Sequence, residues 1–153
     1  MKKLFAYLFG FLMLGNTACT KQAEKDAELI QDYLNKNNLS ATAQSTSEGI
    51  YYIISPQGTG VNPTIDNRVT VHYEGFLLDG TKFDSSRDRG TPSTFPLAAV
   101  IQGWQIGIPK FKKGGRGKLV IPSAYAYGKN PPAGSVIPKN AVLVFDIELL
   151  DVQ

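Results

Sequence analysis

The sequence is poor in the side chains that most catalytic and metal sites require. Its 153 residues include one histidine, His72, and one cysteine. Metals such as zinc need several nitrogen, sulfur or oxygen ligands at compatible spacing, and the sequence offers no such cluster. Ser85 and Ser86 lie beside Asp84, but a serine nucleophile also needs a base, so hydrogen bonding within a loop is the better interpretation. The sequence therefore predicts no metal, no cofactor and no covalent catalysis, and His72 is expected to be a partly exposed strand residue.

A large excess of one charge is also missing. The full chain has 16 basic and 13 acidic side chains, a formal net charge of +3. Loss of residues 1–18 would remove Lys2 and Lys3 and no acid, which leaves 14 basic and 13 acidic side chains. This balance does not favour nucleic-acid binding. The basic run Lys110–Lys118 is interpreted as a solvated, glycine-rich turn, with contact to anionic lipid or to an acidic partner as the alternative.

Long apolar runs are scarce, and the one that stands out is Leu4–Leu14, which follows Lys2 and Lys3. A helix of that length spans ~16 Å, about half of the hydrocarbon core of a bilayer. The run is therefore predicted to belong to a signal peptide, residues 1–18, and the mature protein is expected to be exported.

The single cysteine directly follows this segment. Cys19 comes after Thr17 and Ala18 at a position that resembles a bacterial lipoprotein processing site, with Asn16 where such sites usually have leucine. The resemblance implies that Cys19 carries lipid, with an anchor in the outer membrane and a domain that faces the periplasm. Ordinary cleavage nearby, which leaves a free thiol or removes it, is the alternative. One cysteine gives no internal disulfide.

Residues 19–48 are polar and are predicted to form an arm between anchor and domain. Apolar side chains recur there at the spacing of a short amphipathic helix, namely at Ala27, Ile30, Tyr33 and Leu34. Residues 40–49 are interpreted as a linker because small and polar residues dominate them. A helix that forms a dimer contact is the alternative, and a monomer is favoured.

From residue 49 onward the pattern changes to short β-prone segments separated by turns. Alternation places Val69, Val71 and Tyr73 on one face of a strand, and Asp79-Gly80 indicates a hairpin. In the last strand the pattern predicts Leu143, Phe145, Ile147 and Leu149 inward and Val144, Asp146 and Glu148 outward. Only residues 98–111 have room for a helix. The sequence thus predicts an α+β domain, residues 49–153, in which an antiparallel sheet covers one short helix.

The aromatic residues of this domain come from separate predicted elements: Tyr73, Phe83, Phe95, Trp104, Tyr127 and Phe145. They could simply form the core of a small domain. However, Trp104, the only tryptophan, directly follows a glycine on a short segment that Pro109 ends. Tyr127 lies in a loop, and Asp84 directly follows Phe83. These placements favour an apolar cavity with a few polar groups over a plain core.

Four motifs resemble the FK506-binding family of peptidyl-prolyl isomerases. They are VTVHYEGFLLDGTKFDSSRD at 69–88, FPLAAVIQGW at 95–104, AYAYG at 124–128 and VLVFDIELL at 142–150. The resemblance implies a half-barrel of about five antiparallel strands wrapped around one short α-helix. It also implies an enzyme that speeds rotation about X-Pro bonds. Together with the signal peptide and arm, the motifs resemble the exported lipoprotein branch of the family in Gram-negative bacteria.

The resemblance also implies the site residues. Trp104 matches the floor of the pocket, on which a substrate proline packs. The Ile101 backbone N–H and the Tyr127 hydroxyl match donors to ligand carbonyls, and Asp84 matches a buried acid with Arg89 as its ionic neighbour. Residues that match the pocket walls or bind substrate are Tyr73, Phe83, Arg89, Phe95, Val100, Ile101, Val136, Ile137 and Phe145. The residues expected to carry catalysis are Asp84, Tyr127, Phe83, Trp104 and Phe145.

The implied partners are proline-containing segments of client proteins, together with macrolides of the FK506 type. The loop Gly128–Pro138 departs from the best-known family members in its length and its Pro-Pro, which leaves the role of Val136 and the preference around proline open. An alternative of another class keeps the fold without the catalysis. It is an anchored binding module or chaperone that captures proline-containing segments.

Overall fold

The computed structural model describes residues 17–153. The predicted signal peptide, residues 1–18, lies outside the described residues except for Thr17 and Ala18, with which the first helix begins. Within the described range no helix has the length and apolarity to cross a membrane. The helices are α1, Thr17–Lys36, and α2, Gln102–Gly107. The strands are β1, Gln44–Ser45; β2, Tyr51–Ile54; β3, Arg68–Leu77; β4, Lys82–Ser85; β5, Ser93–Pro96; β6, Arg116–Ile121; and β7, Leu143–Val152.

The strands form one antiparallel sheet of seven strands in the order β1-β2-β6-β7-β3-β4, and β5 also pairs with β3. Strand β3 is central, because β7 pairs along one of its edges and β4 and β5 share the other. Register shifts at Thr70/Val71 and Gly75/Phe76 interrupt its ladders, and irregularities of this kind bend a strand. The predicted α+β half-barrel around a short helix is confirmed. Strands β1 and β5 are additions that the sequence pattern did not indicate.

The inner face of the sheet packs against α2. A Cβ at Gly103 would lie 2.4 Å from Ile121 Cγ2, and one at Gly107 would lie 2.7 Å from Leu119 Cδ1. These two glycines therefore let the helix lie directly against β6. The side chains predicted to point inward from β3 and β7 complete this core, and all are buried: Val69, Val71, Tyr73, Leu143, Phe145, Ile147 and Leu149.

Helix α1 covers the outer face of the same sheet. Ile30 and Leu34 are each 1% exposed and pack in one cluster with Val120, Val142 and Val144. The predicted amphipathic helix is confirmed. Its apolar face, on which a dimer contact through this helix would depend, is buried within the chain.

The outward direction predicted for Val144 is confirmed, although the residue is only 1% exposed because α1 lies over it. Two other expectations about this region are wrong. Ala27, predicted on the apolar face of the helix, is exposed, and Asp26 is buried instead. Residues 40–49 are not a plain linker, since they contain β1, which extends the sheet beside β2. The segment from α1 to β2 is therefore part of the folded body.

Candidate functional site

Trp104 lies at the centre of a cluster of aromatic rings. Its side chain is 4% exposed and stands nearly perpendicular to three neighbours, with ring centroids 5.2 Å from Tyr73, 5.3 Å from Phe145 and 5.9 Å from Phe95. Such pairs stabilise by about 0.5–1.5 kcal/mol beyond the area that they bury. The indole N–H is buried without a hydrogen-bond partner among residues 17–153, so packing alone holds the ring.

Half-buried side chains surround this buried centre. Phe83 lies with its ring centroid 5.6 Å from that of Phe145, and Ile137, 6% exposed, belongs to the same core. The predicted site residues that are half-buried and pack on the core are Phe83, Phe95, Val100, Ile101 and Tyr127. Val136 is the exception, because it is 60% exposed and does not pack on this core. Apart from Val136, the predicted apolar and aromatic residues pack around Trp104 in one cluster, and we refer to this cluster and its half-buried edge as the recess.

Two hydrogen-bond donors at the recess have no partner among the described residues. Ile101 directly precedes α2, and its carbonyl accepts from the Trp104 N–H at 2.9 Å, while its own N–H makes no such bond. The Gln105 side chain steadies this segment by donating to the Val100 carbonyl at 2.8 Å. The half-buried Tyr127 hydroxyl is likewise unpaired within residues 17–153. Both donors are therefore available to acceptors on a bound molecule.

Asp84, Tyr73 and Arg89 form a polar group at the edge of the aromatic cluster. The Tyr73 hydroxyl donates to Asp84 Oδ2, and Arg89 Nη1 donates to Asp84 Oδ1. Arg89 Nη2 also donates to the Tyr73 hydroxyl oxygen at 3.0 Å. The predicted Asp84–Arg89 ion pair is confirmed. The expectation of a buried acid is wrong, since the Asp84 side chain is 39% exposed because it lies on β4, the last strand of the sheet.

These contacts determine which groups carry charge. Burial would raise the pKa of Asp84, but the hydrogen bonds from Tyr73 and Arg89 outweigh it, and the pKa is lowered from its ordinary value. Burial, followed by hydrogen bonding to Asp84, raises the pKa of Tyr73 to about 12. Burial and the Asp84 charge also raise the pKa of Tyr127. At neutral pH the site therefore holds a carboxylate and two protonated tyrosine hydroxyl groups.

The two serines after Asp84 make the loop hydrogen bonds predicted for them. Ser86 Oγ accepts from the Tyr73 N–H at 2.8 Å and donates to the Tyr73 carbonyl at 3.2 Å. Ser85 Oγ accepts from the Asp88 N–H at 3.0 Å. His72 is half-buried, with Nδ1 3.0 Å from Ser86 Oγ. Ser86 thus fixes the backbone that carries Tyr73, and Ser85 holds the turn that leads to Asp88.

Gly75 shapes the site, and the sequence reasoning missed it. A Cβ at this position of β3 would lie 2.5 Å from Phe83 Cζ and 3.0 Å from Phe145 Cε1. Glycine therefore lets these two rings lie over the strand. An isolated glycine inside a strand pattern often marks such a close approach, and this signal could have identified Gly75.

The predicted lipidation residue lies away from the recess. Cys19 is exposed near the start of α1 and lines a groove of about 700 Å³ together with residues of the segments 47–51 and 122–129. The aromatic residues around Trp104 do not line this groove. Among residues 17–153 there is also no group of three or more potential metal ligands.

The described residues form an α+β fold in which the antiparallel sheet and the short helix α2 enclose an apolar, aromatic cluster. The family model described as FKBP-type peptidyl-prolyl cis-trans isomerase matches residues 60–150. The chain belongs to this family.

Similar proteins are described as peptidyl-prolyl cis-trans isomerases. The FKBP-type peptidyl-prolyl cis-trans isomerase FkpA of Aeromonas hydrophila is 46% identical over 142 residues, which are 90% of this chain and 52% of that protein. The peptidyl-prolyl cis-trans isomerase Mip of Coxiella burnetii is 38% identical over 128 residues, which are 84% and 55% of the two chains. The chain spans about half the length of the curated relatives that it matches.

Solved structures agree with the fold. The crystal structure of FkpA from Escherichia coli superposes with a TM-score of 0.74 at 40% identity, covering 88% of this chain and 64% of that one. A peptidyl-prolyl cis-trans isomerase from Pseudomonas syringae superposes with a TM-score of 0.73 at 34% identity, covering 86% and 96%.

Proposed function

We propose that the protein is a peptidyl-prolyl cis-trans isomerase that accelerates rotation about X-Pro bonds in proline-containing segments of exported proteins. The observation that carries the proposal is the recess itself. Trp104 is 4% exposed beneath half-buried aromatic rings, and the unpaired Ile101 N–H and Tyr127 hydroxyl lie among the residues around it. Membership of the isomerase family supports the same function.

The reaction needs no nucleophile, base or metal. Rotation about an X-Pro bond is slow because the partial double bond must be lost, a barrier of ~18–20 kcal/mol. No bond to another atom forms, so the enzyme only has to bind the twisted amide more tightly than either planar form. A preference of ~4 kcal/mol would speed the reaction about a thousandfold. An apolar recess suits this task because the twisted amide has less charge separation and is easier to desolvate.

Each group of the recess has a role in this proposal. The proline ring packs against Trp104, Phe145 and Tyr73. The Ile101 N–H and the Tyr127 hydroxyl donate to neighbouring carbonyls of the substrate. Asp84 acts on the turning carbonyl through its electric field rather than by proton transfer, since its lowered pKa keeps it ionised.

Three variants test these roles, namely Asp84→Ala, Tyr127→Phe and Phe83→Ala. The measurement is the cis-to-trans relaxation rate of X-Leu-Pro and X-Phe-Pro peptides, with circular dichroism to confirm the fold. Loss of one hydrogen bond of ~1 kcal/mol should make Tyr127→Phe about five- to tenfold slower. Tyr33→Phe is the matched control, because Tyr33 packs in the separate cluster between α1 and the outer face of the sheet. Full activity in all three folded variants would refute the site assignment.

We also propose that the protein is exported and anchored to the outer membrane through lipid on Cys19, facing the periplasm. The apolar run Leu4–Leu14 and the exposed position of Cys19 support this layout. In a Gram-negative host, the wild-type protein should partition into detergent and gain the mass of acyl chains, whereas Cys19→Ser should not. A wild-type protein that stays in the aqueous phase with an unmodified thiol would contradict the anchor.

A second candidate function keeps the fold without the catalysis. It is an anchored binding module or chaperone, and the observation that favours it is Val136, an apolar side chain that is 60% exposed next to the core residue Ile137. The test is the aggregation of an unfolding client that contains no proline. Equal protection by the wild type and Tyr127→Phe, with weaker protection by Val136→Ser, would favour this function. The absence of protection by any of them would exclude it.

A further inference from the structure

Asp26 of α1 is a buried carboxylate outside the aromatic recess. Its side chain is 1% exposed, a rare state for an ionisable group unless hydrogen bonds satisfy it. Three donors do so. Gln22 Nε2 donates to Oδ1 at 2.7 Å, while the N–H and the hydroxyl of Ser123 donate to Oδ2 at 2.9 and 2.6 Å. Two of the three donors thus come from a residue 97 positions away along the chain.

Ser123 in turn holds the segment that carries Tyr127. Its carbonyl accepts from the Ala126 N–H at 3.1 Å and from the Gly128 N–H at 2.9 Å. These two residues directly precede and follow Tyr127, so one carbonyl restrains the chain on both sides of it. The Gly128 carbonyl also accepts from the Asn140 N–H at 2.7 Å, which closes the loop that follows. A displacement of Ser123 would therefore move the backbone from which the Tyr127 side chain extends.

We propose that Asp26 is a positioning residue for the recess. By anchoring Ser123, it keeps the Tyr127 hydroxyl in the place from which that hydroxyl donates to a substrate carbonyl. Helix α1, on the outer face of the sheet, thereby contributes to a site on the inner face. The catalytic part of this role rests on the proposed isomerase function, whereas the link from Asp26 to the Ala126 and Gly128 amides does not.

Asp26→Ala is the variant that breaks this link, because it removes both oxygens that accept from Gln22 and Ser123. Asp26→Asn is the conservative variant: its amide oxygen can accept both bonds from Ser123 and its NH2 can donate to the Gln22 amide oxygen once that side chain turns over, so it should behave nearly as the wild type. Asp32→Ala, at an exposed position of the same helix, is the matched control. Leu34→Ala loosens the packing of α1 without touching Ser123 and controls for a general loss of stability. Ser123→Ala removes the hydroxyl donor alone and should reproduce part of the Asp26→Ala effect.

The first experiment measures amide hydrogen exchange in the full chain and does not depend on activity. The exchange rates of the Ala126 and Gly128 amides are compared with that of Ile147 in β7. We expect this ratio to rise about fivefold or more in Asp26→Ala, the value for loss of ~1 kcal/mol of local stability, and to stay within twofold of the wild type in Asp32→Ala and Leu34→Ala. An unchanged ratio in Asp26→Ala would overturn the proposal.

The second experiment asks whether Asp26 acts through Tyr127. Asp26→Ala should lower kcat/KM about three- to tenfold in the wild-type background, and less than about twofold in the Tyr127→Phe background, because coupled residues are not additive. An equal loss in both backgrounds would overturn the route through Tyr127. If the wild-type chain shows no isomerase activity, the proposed function fails, and the exchange result alone decides whether Asp26 holds this segment.

Discussion

At the scale of single residues, Asp84 combines a negative charge with an apolar neighbourhood. Burial raises its pKa, and the hydrogen bonds from Tyr73 and Arg89 lower it by more. A carboxyl group whose folded-state pKa lies below the ordinary value of 3.8 stabilises the fold above pH 3.8. That contribution is lost as the pH falls through the lowered folded-state value. The charge of Asp84 is therefore maintained throughout the neutral range.

Replacement of Arg89 by alanine should shift the acid limb of the activity profile to higher pH. The variant loses a cation that lowers the Asp84 pKa, so Asp84 becomes protonated at a higher pH than in the wild type. For the wild type we expect kcat/KM to be flat between about pH 6 and pH 9, because Asp84 stays ionised and Tyr73 and Tyr127 stay protonated. Measuring kcat/KM as a function of pH for the two proteins tests the shifted acid limb of Arg89→Ala and the flat profile of the wild type.

Arg87→Ala is the control for this experiment, since Arg87 pairs with Glu148 instead. Fluorescence of the folded state at each pH excludes acid unfolding as the cause of a shift. Identical profiles for the wild type and Arg89→Ala would contradict the role given to Arg89.

At the scale of elements, the position of Trp104 depends on how closely α2 approaches β6. Gly103→Ala would put a Cβ 2.4 Å from Ile121 Cγ2, and Ile is stiff at χ1, so the helix has to move. We expect a loss of about 1–3 kcal/mol in the free energy of unfolding and a shifted Trp104 emission maximum. Urea unfolding, monitored by tryptophan fluorescence, gives the free energy of unfolding and the emission maximum. Gln102→Ala, at an exposed position, is the control. A folded Gly103→Ala with wild-type stability and emission would contradict this packing.

Helix α1 should contribute to stability through one face only. Leu34 is 1% exposed against β6 and β7, whereas Leu29 of the same helix is 37% exposed. Leu34→Ala should therefore lower the free energy of unfolding by about 2–5 kcal/mol, and Leu29→Ala by less than about 1 kcal/mol. Equilibrium unfolding in urea measures the free energy of unfolding of the two variants. Equal effects would mean that the helix does not pack on the sheet in solution.

At the scale of the whole molecule, the long strands and the short helix could be predicted because their signals are local. Alternation identified β3 and β7, and α1 ends at Lys36, close to Asn38, whose left-handed φ of 57° is typical of a helix end. The burial of Val144 could not be predicted, since it depends on a helix that comes more than a hundred residues earlier. Strand β1 has two residues and carries no periodicity.

For the candidate site, too, only part of the arrangement could be predicted from the sequence. Trp104, Tyr127 and Asp84 could be selected by residue type and by resemblance, but the exposure of Asp84 depends on the place of β4 at the end of the sheet. The contact between Asp26 and Ser123 spans 97 residues and leaves no pattern in the sequence. Local signals therefore identify which residues carry the chemistry, and tertiary contacts decide how they are held.

The most direct measurement is the cis-to-trans relaxation rate of an X-Leu-Pro peptide with the purified protein, with and without FK506. We expect acceleration that is proportional to protein concentration and is abolished by the macrolide, which would occupy the recess over Trp104. A folded protein that gives no acceleration would contradict the proposed isomerase. Acceleration that the macrolide leaves unchanged would mean that catalysis does not take place at Trp104.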